Sequence, residues 1–236
     1  MVWKYPDYSK DYVVSADVSR GDGSDFSAFH VIDIEQMEQV AEYKGKIGTK
    51  DFGNMCVSVA TEYNKALLIV ENNNIGWSAI QTIIDSEYPN LFYTSKDLTY
   101  VDTARQISNR YRSTDKNMVP GFSMTQKTRP LVIAKLDEYF REKLVKIHSQ
   151  RLIDELFVFI YRNGKAVAMS GYNDDLVMSL AIGLWVRDTA LRLRAEGIEL
   201  TKRSLDYFQL HQAIYDEDAE KENDSWKMTV GNEKED

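Results

Sequence analysis

The 236-residue chain is 43% hydrophobic, enough to enclose one full core, and its single cysteine, Cys56, excludes an intrachain disulfide and suits a reducing compartment. Residues 1–10 lack the apolar centre of a signal peptide, and the longest apolar stretch, 176–186, is too short to cross a bilayer, so no membrane role is expected. The formal net charge of −8 argues against a nucleic-acid partner only until it is divided along the chain.

In chain order, residues 12–18 read as a strand buried on both faces, because they are almost continuously apolar. Gly21 and Gly23 make a turn. Strands at 28–34 and 39–44 follow as an antiparallel meander. Residues 51–65 form a helix with Thr49 as its cap, and 67–71 return as a strand. The intervening helix lets that strand lie parallel beside the first, which sets Glu71 next to Asp17 at one sheet edge. A helix at 77–86 and a short strand at 91–94 come next. The stretch 96–126 is polar and irregular and reads as an extended loop or hairpin. Residues 129–143 form an amphipathic helix with Leu131, Ala134, Leu136, Tyr139 and Phe140 on its apolar side. Residues 151–159 fit helix or strand, and 173–195 form the last long helix. The organisation expected is one domain over 1–197 and an acidic, disordered tail over 198–236.

Residues 214–236 hold nine acids and three lysines, which leaves a net of only −2 for the rest of the chain. Within 105–151 eleven basic residues face four acids. A local excess of that kind, not the global sum, attracts a phosphate backbone. Lys135, Arg141, Lys143 and Lys146 are expected on the solvated face of a helix, and Trp77, Trp185 and Phe140 sit at the helical spacing of core residues.

Three acidic clusters stand where elements end or begin. Asp17 closes the first strand and opens Asp-Val-Ser-Arg-Gly-Asp-Gly-Ser-Asp at 17–25; Glu71 closes the strand at 67–71; Asn173-Asp174-Asp175 opens the last helix. Each has a plain structural account: an Asx turn at Asp17, a lysine or backbone amides for Glu71, helix capping for the aspartate pair. Adjacent helical residues diverge by about 100°, so spacing prefers neither Asp174 nor Asp175. Taken together the clusters have a second account. Hard divalent cations take oxygen ligands, and carboxylates crowded this closely repel one another without cations between them. Two ions about 4 Å apart can activate a water and stabilise the leaving oxygen of a phosphodiester. Asp22 and Asp25 suit the turn, although Asp25 is near enough in sequence to join a second-metal site.

Other chemistries fail on spacing. A calcium loop counted from Asp17 needs a glutamate at its twelfth position, which is Ala28, and its flanks here are strands. No Gly-Lys-Ser/Thr follows the glycines, which excludes a phosphate loop, and His30, His148, His211 and Cys56 have no zinc spacing.

The order strand–Asp, meander, helix, strand–Glu, helix–Asp resembles the ribonuclease H-like nuclease domain. In detail, residues 17–25, Val-Glu-Asn-Asn at 70–73 and Gly-Tyr-Asn-Asp-Asp-Leu-Val-Met-Ser at 171–179 resemble the C-terminal nuclease domain of tailed-phage large terminase subunits, over roughly residues 10–190. The resemblance implies an α/β fold, a ribonuclease H-like mixed sheet of about five strands flanked by helices. It implies catalytic, metal-holding Asp17, Glu71 and Asp175, with Asp25 and Asp174 as further metal-site candidates. Arg20, Lys127 and Arg129 would contact DNA phosphates. Two Mg²⁺ or Mn²⁺ ions and double-stranded DNA are the expected cofactors and substrate; a packaging ATPase domain, the portal and the small terminase subunit are the implied partners. The expected location is the cytoplasm of the infected host cell, outside the mature virion. Asn173 departs from the family's frequent histidine, and no Walker-type Gly-x-x-x-x-Gly-Lys-Ser/Thr occurs, so the chain is expected to be the nuclease portion of a longer protein. A Holliday-junction resolvase or transposase-like nuclease shares this fold. An actin- or sugar-kinase-like ATP-binding domain would need a second Asp-Gly-Gly-Thr-like loop, which is missing.

Overall fold

Strand β1 (Tyr12–Asp17) is the hinge of the topology, because it pairs antiparallel with β2 (Ser27–Asp33) on one side and parallel with β4 (Leu67–Val70) on the other. Strand β3 (Glu38–Gly45) pairs antiparallel with β2, giving the order β3–β2–β1–β4. The parallel return of β4 requires a crossover, and helix α1 (Thr49–Glu62) supplies it. The computed structural model describes residues 1–23, 25–73, 75–95, 118–162 and 164–188. The tail expected over 198–236, most of the stretch expected as a loop or hairpin over 96–126, and the end of the last helix lie outside them.

Beyond β4 the expected fifth strand is short bridges instead of one continuous ladder. Leu91 and Phe122 bridge in parallel to Leu68 and Glu71, and Phe122 N–H donates to the Val70 carbonyl at 2.7 Å. Strands β5 (Tyr93–Ser95) and β6 (Met118–Pro120) pair as a separate two-stranded ladder. Helix α2 is Gly76–Asp85, α3 is Thr128–Arg141 and α4 is Gln150–Phe157, so the ambiguous stretch 151–159 is mainly helical. A hairpin of β7 (Phe159–Arg162) and β8 (Lys165–Ala168) follows. The last helix, α5, begins at 175, two residues later than expected, and is described to 188.

Side chains alternate across a strand, so a sheet buried on both faces sorts its apolar residues into two cores. Val14, Ala16, Leu68 and Val70 pack with Phe52, Cys56 and Ala60 of α1 and Ile80 and Ile83 of α2. Val13, Ala28, Ile32 and Ile69 pack on the opposite side with Leu176, Leu180 and Leu184 of α5 and Val132 and Leu136 of α3. Gly183 is what lets α5 lie so close: a Cβ there would come within 2.9 Å of Ser15 Cβ and 3.0 Å of Ile32 Cδ1. Pro130 falls in the first turn of α3, where its missing N–H costs no helical bond.

Several expected details are corrected. Gly48, not Thr49, stands at the cap position of α1, and the Thr49 hydroxyl pairs with Ser78 instead. The buried side of α3 is Val132, Ile133, Leu136 and Tyr139; Ala134 is exposed, and Leu131 and Phe140 are half-buried. Lys135 and Lys146 are not merely solvated, because they pair with Asp188 and Glu38. Trp77 is 44% exposed, so its helical spacing does not make it a core residue.

Candidate functional site

Strand register places one row of side chains at the end of the sheet. Lys44 on β3 is opposite Ala28 on β2, and Ala28 is opposite Asp17 on β1. Glu71 comes directly after β4, with its N–H on the Ala16 carbonyl at 3.0 Å. Directly opposed residues share a face, so Lys44, Asp17 and Glu71 all project toward α5, and the small Ala28 leaves room between them. Below Glu71 the entry to α2 is equally tight: a Cβ on Gly76 would meet the Glu71 carbonyl at 1.9 Å. Asn73 Oδ1 accepts from the N–H groups of Ile75 and Gly76, which fits its structural reading, while Asn72 N–H donates to the Phe122 carbonyl.

The first turn of α5 carries Asp175 onto this row and is fastened from three sides. Ser15 Oγ of β1 donates to the Ser179 carbonyl at 2.6 Å. Glu155 of α4 accepts from the N–H groups of Leu176 and Val177 at 2.9 and 3.2 Å, satisfying donors that a helix start leaves open. His30 of β2 lies 3.0 Å from the Leu176 carbonyl. Gln39 Oε1 accepts from the backbone N–H groups of His148 and Ser149, so its Nε2 is the atom donating to His30 Nδ1 at 2.7 Å. His30 Nε2 therefore carries the ring proton and donates to Leu176.

The acids themselves divide by partner. The carboxyl groups of Asp17 and Glu71 hydrogen-bond to each other. Asp17 keeps some access to solvent, yet burial pushes its pKa well up, and the charges of Glu71 and Asp175 push the same way. Burial also raises Glu71, against the lowering effect of the Asp17 hydrogen bond and Arg129. Arg129 Nη2 reaches Asp174 at 3.0 Å and the Ala166 carbonyl at 3.2 Å. Asp175 accepts from Phe26 N–H at 3.3 Å and lies 3.6 Å from Lys44 Nζ. Burial raises Asp175 despite that ammonium. Asn173 Nδ2 lies 3.4 Å from Asp25 Oδ1, and the Asp25 charge is felt at Asp175.

Asp17, Glu71, Asp174, Asp175 and Asp25 thus come from four separate places in the chain to one end of the sheet. Spacing prefers neither aspartate of the pair, and the structure gives the two different partners: Asp174 pairs with Arg129 and Asp175 lies beside Lys44. Arg20 is exposed and its guanidinium is 3.6 Å from Asp22. Lys127 is exposed at the start of α3. Among the described residues no three carboxylate, histidine or cysteine side chains converge tightly enough to enclose an ion. In type the donors fit a hard divalent cation: they are all oxygen, and their mutual repulsion is relieved by added positive charge. Lys44 and Glu155 were not recognised in the sequence. Lys44 is one basic residue at a strand end, and Glu155 is one acid in a short helix; their pairing depends on tertiary contact.

No family model matches the sequence. The fold does have solved counterparts. The large terminase nuclease from thermophilic phage G20c with bound magnesium superposes at a TM-score of 0.58 with 16% identity, covering 78% of this chain and 85% of that one. The same nuclease with bound cobalt gives 0.57 and 19% over 78% and 85%. The large terminase nuclease domain of Thermus phage P74-26 gives 0.54 and 19% over 78% and 83%. With a mixed sheet flanked by helices and this overlap, the chain has the ribonuclease H-like fold of large terminase nuclease domains.

Proposed function

We propose that this chain is a metal-dependent endonuclease, the nuclease part of a tailed-phage large terminase, cutting double-stranded viral DNA during genome packaging. The observation that carries the reading is the adjacency of Asp17 and Glu71 on one face at the sheet end, with Asp175 on α5 near enough for its charge to act on Asp17, whose pKa is pushed well up by burial and by these acidic neighbours. Perturbed carboxyls of this kind cluster where a reaction or a cation needs them. The nuclease of phage G20c, solved with magnesium, cobalt or zinc bound, supports a divalent metal here as well.

In this reading Asp17, Glu71 and Asp175 would hold two Mg²⁺ or Mn²⁺ ions, with Asp25 and Asp174 as further candidate ligands. Bound metal supplies an activated water and stabilises the departing oxygen of a phosphodiester. The protein's own residues do the rest. The Glu155, Ser15 and His30 contacts hold α5 so that Asp175 meets the β1 and β4 acids. Lys127, Arg20 and Arg129 would contact phosphates; the exposure of Lys127 and Arg20 supports this, while Arg129 also pairs with Asp174. Phosphate contacts give affinity without reading bases, so little sequence specificity is expected. The packaging ATPase domain, portal and small terminase subunit are the proposed partners, in the cytoplasm of the infected cell.

The test is conversion of supercoiled plasmid to nicked and linear forms in Mg²⁺ or Mn²⁺, with EDTA as the control. Asp17→Ala, Glu71→Ala and Asp175→Ala proteins should remain folded and fail to cut. No cleavage by the natural sequence in any divalent metal, or normal cleavage by two of the three variants, would overturn the reading.

A further inference from the structure

Lys44 stands out among the cations at the site. Its side chain is only 15% exposed, and its ammonium forms a close ion pair with Glu155, lies 3.6 Å from Asp175 Oδ2, and sits 4.7 Å from the centre of the Phe26 ring. A lysine this enclosed is held by its partners, and here the partners are a candidate metal ligand and an acid that is not one. Glu155 is occupied on its other oxygen by the N–H groups of Leu176 and Val177. Its position is therefore fixed by the helix that carries Asp175. Arg151, the neighbouring cation on α4, is committed to Glu42 at 2.5 Å.

We propose that Lys44 is a stand-in cation for Asp175, shared between that carboxylate and Glu155 and left to Glu155 alone when a divalent ion takes Asp175, so that Glu155 tunes metal affinity without touching metal. The inference rests on the reading of Asp17, Glu71 and Asp175 as a metal site. The chemistry is a competition between two cations for one carboxylate. An opposite charge within about 4–6 Å of a carboxylate is worth at least tenfold in its preference for a competing cation such as a proton, and a metal ion faces the same rival. Glu155 weakens the rival, because it offers the ammonium a second acceptor that stays in place. Lys44 and Glu155 are thus positioning residues with opposite effects.

The test is Mn²⁺ binding to the full chain by calorimetry, together with the rise in Tm on adding Mg²⁺. Lys44→Met should bind Mn²⁺ about tenfold more tightly and gain more Tm from Mg²⁺. Glu155→Gln keeps an oxygen for the α5 amides but releases the ammonium onto Asp175, and should bind about tenfold more weakly. In the Lys44→Met background the Glu155→Gln change should lose most of its effect. Effects that simply add would mean that each residue acts as an independent charge, and would overturn the inference, as would affinities equal to that of the natural protein. If Lys44→Met does not fold, tighter or unchanged binding by Glu155→Gln overturns it alone. Absence of binding by the natural protein would remove the metal site itself, and this inference with it.

Discussion

The ring Nε2 of His30 donates to the carbonyl of Leu176 across 3.0 Å, joining the middle of β2 to the residue that follows Asp175. His30 is fully buried, and burial holds its pKa down at about 4 against an ordinary value of 6.5. The neutral ring is the form that accepts from Gln39 while donating to Leu176. Helix α5 is therefore fastened by a group that must stay uncharged.

A pH dependence of stability follows. The unfolded chain takes up a proton on His30 as pH falls below 6.5, while the folded chain does so only near 4. Folding stability is fully present above 6.5 and declines through that window. His30→Gln, which can keep one donor and one acceptor, lacks this decline. The stability advantage of the natural protein over the variant should shrink between pH 6.5 and about 4, by on the order of 3 kcal/mol. Denaturant unfolding at several pH values measures it; a constant gap would show that His30 is not held neutral.

Asp17→Asn should separate stability from activity. The Asp17 pKa is raised in the folded protein by burial and then by Glu71 and Asp175, so ionising it opposes folding above the unfolded value of 3.8. Removing the charge should raise Tm at pH 7 in EDTA while abolishing plasmid nicking. Stabilisation at a functional site with loss of function is the expected trade. A lowered Tm would mean that the Asp17 carboxylate is already compensated.

Lys127 and Arg129 should behave differently although they are two residues apart. Lys127 is exposed, whereas Arg129 ties Asp174 to the Ala166 carbonyl. Lys127→Ala should lower the slope of log affinity against log salt by about 0.9 on duplex DNA and leave Tm unchanged. Arg129→Ala should lower Tm as well, because it leaves Asp174 beside Glu71 without its counter-charge. A salt titration of Lys127→Ala with an unaltered slope would remove that residue from the DNA path.

Gly183→Val should unseat α5. Even a Cβ at this position lies 2.9 Å from Ser15 Cβ, so the helix must lift from the sheet and carry Asp175 with it. Overpacking of this kind costs about 1–3 kcal/mol, and the β-branched side chain recovers little helix propensity. Chemical denaturation and plasmid nicking should both report a loss. Full activity with unchanged stability would show that the interface yields more easily than its spacing suggests.

The sequence alone determined the elements and the order of the acids. Continuous apolar runs ending in Asp17 and Glu71, separated by one helix, leave little choice but a parallel pair with both acids at one edge, because chain connectivity and right-handed crossover restrict the alternatives. The apolar character of 176–186 likewise required a buried helix. Register and packing lay beyond it. A shift in the β2–β3 ladder between Val31 and Ile32 decides which β3 residue joins the Asp17 row, and no local signal in the sequence marks it. The docking of α5 through Gly183 and Ser15 decides how Asp175 meets the strands, and the turn of α4 decides that Glu155 meets Lys44. Periodicity along a chain records which face of an element is buried; which distant charge lies across from it depends on contacts that exist only once the core has closed.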